Sequence, residues 1–239
     1  MMEISKKIQD KILAIGKPEK AKWLENYIKH DIKSKGVGIP DIRNIVKEIN
    51  EEFKITEKPL KDQVELLTDL MSQEYTEDKL SAILYLQLFW KDKYDKQKID
   101  LISDWFDRNL ITDWNVCDWL CVRILTPMID SSTKKTIAEL KKWNKSKNLW
   151  KARASHVPFA QCKTIGQHKK IIENLSVELV KREERFCKTA VGWVLREYSK
   201  IDSDFVEKFL SKNENWTTKE VIRNEKKYIN RIRGKNSKR

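Results

Sequence analysis

Glycine and proline are scarce in this 239-residue chain, at six and five residues. Too few turn-formers remain to punctuate a many-stranded sheet, and the sequence holds no glycine-rich phosphate loop. The four cysteines (Cys117, Cys121, Cys162, Cys187) form no CxxC pair, and their spacing suggests no disulfide framework in a chain this long. The three histidines, His30, His156 and His168, are scattered, so no zinc cluster can be read and neither a metal nor another cofactor is expected. No apolar run approaches about 20 residues, so no membrane span is expected. The first residues, MMEISKKIQDKI, are charged and lack the apolar core of a signal peptide. A reducing, cytoplasmic setting is the expectation.

Charge and tryptophan are what the chain has in quantity. Charged residues make up 36%, with 49 Lys and Arg against 36 Asp and Glu, a net charge of +13. A polyanion partner is the simplest explanation, although a lysine-rich proteome would give the same balance. So many charges fit an elongated helical array, with its larger surface per residue, better than a tight globule. Apolar residues recur at helical spacing almost throughout. In residues 80–90, LSAILYLQLFW, they form a broad face, with Thr76 and Lys79 near a possible start and Glu77 and Asp78 suited to a first turn. Residues 186–200, FCKTAVGWVLREYSK, read as a buried helix with a polar tail, and Asp202 and Ser203 offer caps for the next. Gly36, Gly38 and Pro40 in KSKGVGIP mark a loop between two N-terminal helices. The expected fold is all-α, with helices of about 10–17 residues consistent with an α-solenoid of antiparallel pairs. One domain is expected over residues 1–233, followed by a basic tail, 234–239.

Three constellations could carry chemistry. In TDWNVCDWLC, residues 112–121, Trp114 and Asp118 are four apart, which puts an indole and a carboxylate on one helix face. A core Trp beside a solvated or capping Asp would have the same spacing. In NLWKARASHVPF, residues 148–159, Trp150 and Arg153 are three apart beside small Ala152 and Ala154, which permit close approach of a helix or a phosphate. An Arg paired with a buried acid is the plain alternative. In AVGWVLREYSK, residues 190–200, Trp193 and Arg196 repeat that spacing, Glu197 is an obvious ion-pair partner, and Gly192 suggests close packing. Basic residues also cluster: Lys134, Lys135, Lys141, Lys142, Lys145, Lys147, Lys151 and Arg153 face only Glu139. A second cluster runs from Arg223 to Arg239 with only Glu225 opposed. Interleaved with Trp, such clusters point to phosphate contacts, and otherwise to solvated helix faces.

Together YIKHDIKSKGVGIPDIR, DWNVCDW, LWKARA and AVGWVLREY, in this order and spanning nearly the whole chain, resemble the AlkD-type DNA alkylation repair proteins, HEAT-like-repeat DNA glycosylases. The resemblance implies a solenoid of HEAT-like helix pairs whose concave basic groove holds double-stranded DNA. It implies excision of cationic alkylated purines such as N3-methyladenine and N7-methylguanine. Carried over by motif, Asp118 is the catalytic carboxylate, Trp114 and Trp193 are the two indoles, and Arg153 holds phosphate near the Asp. Arg196 and Tyr27 match residues near the DNA, and Lys141, Lys142, Lys145 and Lys151 are assigned to phosphates. The chain departs from the pattern at Asn115, where many members have Asp, at Cys117, where an aliphatic residue is common, and at Lys35, where Phe precedes the first glycine.

These residue types suit that chemistry. A cationic purine leaves without a general acid, and the barrier lies in building positive charge on the sugar. A carboxylate stabilises that charge and orients or deprotonates water. Trp faces attract a cation by about 0.5–2 kcal/mol each. No lysine is singled out as an amine nucleophile, so a monofunctional, monomeric glycosylase is expected. Two other readings share the composition: a catalytically silent protein that binds bent or branched DNA by shape, and a helical scaffold for protein partners. The first predicts no dependence on Asp118, the second weak and salt-labile DNA binding.

Overall fold

Side chains cap the starts of some helices, at Asp113, Asn148 and Asp202, and left-handed residues end others, at Lys29 and Lys54. The computed structural model describes residues 1–29, 31–91, 93–219 and 221, and among them there are twelve α-helices and no strand. The chain divides into two compact units, one from Met1 to Ile124 and one beginning at Leu125. The basic cluster from Arg223 onward and the expected 234–239 tail lie outside the described residues.

The first unit holds α1 (Met2–Ala14), α2 (Pro18–Ile28), α3 (Ile39–Phe53), α4 (Leu60–Ser72), α5 (Thr76–Phe89), α6 (Asp95–Asp107) and α7 (Trp114–Leu120). Ile4, Ile8 and Ile12 form one stripe of α1, which packs on α3 and α4. The apolar stripe of α3, Ile42, Ile45, Val46 and Ile49, is likewise fully buried. Helix α5 packs against α1, α3, α4 and α7, and accordingly its residues from Thr76 to Leu86 are all buried. A helix surrounded on all sides needs apolar residues all round, which is why LSAILYLQLFW has so broad a face.

The loop predicted around Gly36 joins α2 to α3. Gly36 has φ +76°, and a Cβ there would lie 2.1 Å from the Lys17 carbonyl oxygen, so only glycine fits.

The second unit holds α8 (Thr126–Trp143), α9 (Leu149–Ala154), α10 (Lys169–Val180), α11 (Arg185–Tyr198) and α12 (Ser203–Lys212), with 3-10 turns at Val157–Gln161 and Ile165–His168. Helix α11 is the core, packed against α9, α10, α12 and the Val157–Gln161 turn through Cys187, Ala190, Val191, Val194 and Leu195. Asp202 Oδ1 accepts from the Phe205 N–H at 2.9 Å and so caps α12, as its sequence position suggested.

Two helices fall short of the 10–17 residues expected: α7 has seven and α9 has six. Pro127 lacks the N–H that would continue the helical ladder, and α7 gives way to a π-helical turn, Cys121–Leu125, just before it. Pro158 similarly follows the end of α9. Both short helices carry candidate site residues.

Candidate active site

Helix α7 starts at Asp113, whose Oδ1 accepts from the Val116 N–H at 2.9 Å. That cap sets the rotation of a seven-residue helix. Val116, Cys117 and Leu120 are buried, while Trp114 and Asp118, one turn apart, are half-buried on the other arc. Asn115 Nδ2 donates to Thr76 Oγ1 at 3.2 Å and ties α7 to α5. The edge-on ring of Tyr27 meets Trp114 with centroids 5.4 Å apart and planes at 68°. The structure therefore brings Tyr27 to Trp114, on the helix that bears Asp118. The exposed Arg123 guanidinium lies 4.9 Å over the Trp119 ring at the end of the same segment.

Asp113 is fully buried, and its Oδ2 has no hydrogen-bond partner. Burial pushes its carboxyl up to about 6, opposed by the Val116 and Asn115 amides and by Lys79. An acid whose folded pKa lies above its unfolded value adds stability below the unfolded pKa and loses it as pH rises through the folded one. Asp113 should therefore cost about 2–3 kcal/mol of stability between pH 4 and pH 7. Asp113→Asn keeps the cap and removes the titration. Urea unfolding at pH 4.5 and 7.5 should show the unaltered protein losing more stability than the variant over that interval.

In the second unit Arg153 is 5% exposed. Its Nη1 donates to the Phe186 carbonyl at 2.6 Å and to Thr189 Oγ1 at 3.3 Å, which fixes α9 to the start of α11. Thr189, Trp193 and Arg196 follow at helical spacing, so Arg153 engages the face of α11 that carries the second indole. Trp193 and Arg196 are half-buried, and Arg196 Nε pairs with Glu197 at 3.3 Å, as the sequence suggested. The two Trp-x-x-Arg repeats thus differ: Trp150 and Arg153 are core, with Trp150 5.0 Å from Phe186, whereas Trp193 and Arg196 reach the surface.

The lysines separate in the same way. Lys141, Lys142 and Lys145 are exposed and line, with Ile171 and Asn174 of α10, a groove of about 600 Å³. Lys142 pairs with Glu139 at 2.6 Å, an exposed contact worth little. Lys151 is 8% exposed, with its ammonium 5.8 Å over the Trp143 ring.

A family profile described as DNA alkylation repair enzyme matches residues 8–229. The chain belongs to this family. One solved structure, a predicted DNA alkylation repair enzyme from Enterococcus faecalis, superposes with a TM-score of 0.74 at 18% identity. The match covers 90% of this chain and 96% of that one, and at this identity it speaks for the fold alone. A search of curated proteins finds no match. Membership gives the protein a role in DNA alkylation repair, with DNA as its partner.

Asn115, Cys117 and Lys35, the positions expected to depart from the resemblance, are each held within the fold. Asn115 makes the hydrogen bond to α5 noted above, and Cys117 is a buried core residue. Lys35 buries its ammonium against Asp78, with Nζ 2.6 Å from Oδ1 and 5.1 Å from the Tyr75 ring. Beside it, Glu77 Oε1 accepts from Ser34 Oγ at 2.7 Å, Gly36 N at 2.9 Å and Val37 N at 3.2 Å, and Oε2 from Lys35 N at 2.8 Å. On the other side of α5, Lys79 Nζ donates to the carbonyls of Met71 and Leu110 at 2.6 and 2.8 Å. Burial lowers the pKa of Lys79, but both contacts hold its ammonium on backbone oxygens. The first turn of α5 thereby grips the loop after Tyr27 and the segment before Trp114.

From the sequence Glu77 and Asp78 are ordinary first-turn acids, and nothing local to them signals this grip, because their partners lie about 40 residues away. Trp23, which stacks on Tyr27, has one cue in the sequence, the four-residue spacing between them. Among the described residues no group of three or more His, Cys, Asp or Glu side chains could hold a metal ion, and no helix is long and apolar enough to cross a membrane.

Proposed function

We propose that the protein is a monofunctional DNA glycosylase that hydrolyses the N-glycosidic bond of cationic alkylated purines, N3-methyladenine and N7-methylguanine, in duplex DNA. The observation that carries this reading is Trp114 and Asp118 one turn apart on the half-buried arc of α7, with Tyr27 packed on Trp114. A short helix capped at Asp113 and tied to α5 holds an indole face and a carboxylate together, the pair that a developing sugar cation requires.

In this mechanism the oxygen of water attacks the anomeric carbon as the glycosidic bond breaks. The bonding pair goes to the purine nitrogen and neutralises the positive charge of the base. The Asp118 carboxylate faces the cationic sugar and takes up the proton that water releases. Trp114 and Trp193 supply ring faces to the cationic groups. Arg153 orients the face of α11 that carries Trp193 and is assigned, with Arg196 and Tyr27, to the surroundings of the DNA; Lys151, expected there from the sequence, is buried with its ammonium against the Trp143 ring. Lys141, Lys142 and Lys145 hold phosphates. The leaving base is already charged, so the step calls for neither a general acid nor a cofactor.

The deciding experiment incubates the protein with duplex DNA bearing N7-methylguanine and measures free base. Release supports the reading. DNA binding with no release of this base or of N3-methyladenine overturns it.

Phosphate contacts release counterions, so binding should weaken steeply with salt. Replacing Lys141, Lys142 and Lys145 together by Ala should reduce the slope of log affinity against log salt by about 0.9 for each phosphate that a lysine no longer neutralises. Fluorescence anisotropy over a salt series measures it, and an unchanged slope places the phosphates elsewhere.

A further inference from the structure

Helix α2 carries an exposed residue, Trp23, that the proposed chemistry leaves unused. Ile28 is the fully buried residue of this 11-residue helix, while Trp23 and Tyr27 are 63% and 57% exposed. Single exposed aromatics are ordinary, but here two are contiguous. Four residues apart on one helix face, their rings are parallel within 2°, with centroids 5.5 Å apart. Tyr27 in turn meets Trp114 edge-on. Three rings therefore run from open solvent at Trp23 to the helix that bears Asp118.

We propose that Trp23 is a DNA-contacting residue, and that the Trp23–Tyr27 stack is a platform for an unpaired nucleobase beside the site. Every base has a π-face, so an exposed indole stacks on any of them. The charge around the platform fits a nucleic-acid strand. Lys20 and Glu19 lie three and four residues before Trp23 on the same helix face, and three exposed lysines, Lys20, Lys22 and Lys29, stand against the exposed Glu19. The acid closest in sequence, Glu25, accepts from the Ser34 N–H at 2.9 Å and is turned toward the loop. Aromatic rings interleaved with lysines suit a polyanion with stacking bases. Exposed Trp and Tyr also occur at protein interfaces, but lysines such as those around this pair are depleted there. The inference rests on DNA as the partner and not on the glycosylase chemistry.

The test compares a duplex bearing a one-base bulge of 2-aminopurine with the fully paired duplex. Trp23→Ala should weaken binding to the bulged DNA by about 5–100-fold, and binding to the paired duplex much less. Trp23→Phe should retain most of the affinity. The salt slope should not change, because stacking releases no counterions. Binding of the unaltered protein should quench 2-aminopurine fluorescence, and binding of Trp23→Ala should not. Equal affinity of Trp23→Ala and the unaltered protein for bulged DNA overturns the proposal. So does a variant that binds this DNA normally but changes its sedimentation, which would make the platform a protein-docking face. If the unaltered protein binds neither duplex, DNA as the partner fails and this inference fails with it. Excision plays no part in the readout, so a missing glycosylase activity leaves the result interpretable.

Discussion

Asp118→Asn slows the release of N7-methylguanine from duplex DNA by about 100–1000-fold in single turnover at saturating protein, while DNA affinity is unchanged or slightly higher. The substitution keeps the size and planarity of the side chain and removes its charge. One well-placed electrostatic contact to a developing charge is worth about 3–4 kcal/mol in a catalytic site, and the fold-change follows from that. Affinity does not fall, because the charge removed has the same sign as the phosphates. Trp114→Ala and Trp193→Ala slow release less, in keeping with single cation–π contacts. Neutral lesions such as uracil or hypoxanthine are poor substrates for every form, since no acid is assigned to protonate a leaving base. A rate for Asp118→Asn equal to that of the unaltered protein would remove Asp118 from the mechanism. Binding without excision by both forms would instead favour a silent protein that recognises DNA by shape.

Glu77→Ala lowers the unfolding free energy by about 3–5 kcal/mol, measured by urea titration at neutral pH, far more than an exposed helical Glu would. Glu77 is 1% exposed and accepts from the Ser34 hydroxyl and from the amides of Lys35, Gly36 and Val37. Truncation leaves these buried donors without an acceptor, and each such orphan is costly. Gly36 is already held at φ +76° with backbone close on one side, so the loop has little room to find new partners. Excision falls as well, because this loop follows the helix that carries Tyr27 to Trp114. A loss below about 1 kcal/mol, the usual size for a surface change, would mean that the loop does not depend on Glu77.

Local chemistry makes much of this legible in the sequence itself. Scarce Gly and Pro with apolar residues at helical spacing gave an all-α chain, and Asp202 could be read as a cap because capping is set within three residues. The Trp114–Asp118 and Trp193–Arg196 pairs could be placed on single faces, since helix geometry alone fixes residues three and four apart. What depends on remote packing could not be read. The same Trp-x-x-Arg spacing is core at Trp150–Arg153 and surface at Trp193–Arg196, because the neighbours of each arc come from other helices. Lys151 looked like its exposed neighbours Lys141, Lys142 and Lys145, yet the fold turns it under Trp143. Glu77 and Asp78 satisfied the rule for acids in a first turn, but their partners lie about 40 residues earlier, in the loop at Ser34–Val37. Spacing along one helix says which side chains share a face. Which segment that face meets, and whether water remains there, is decided when distant parts of the chain pack together.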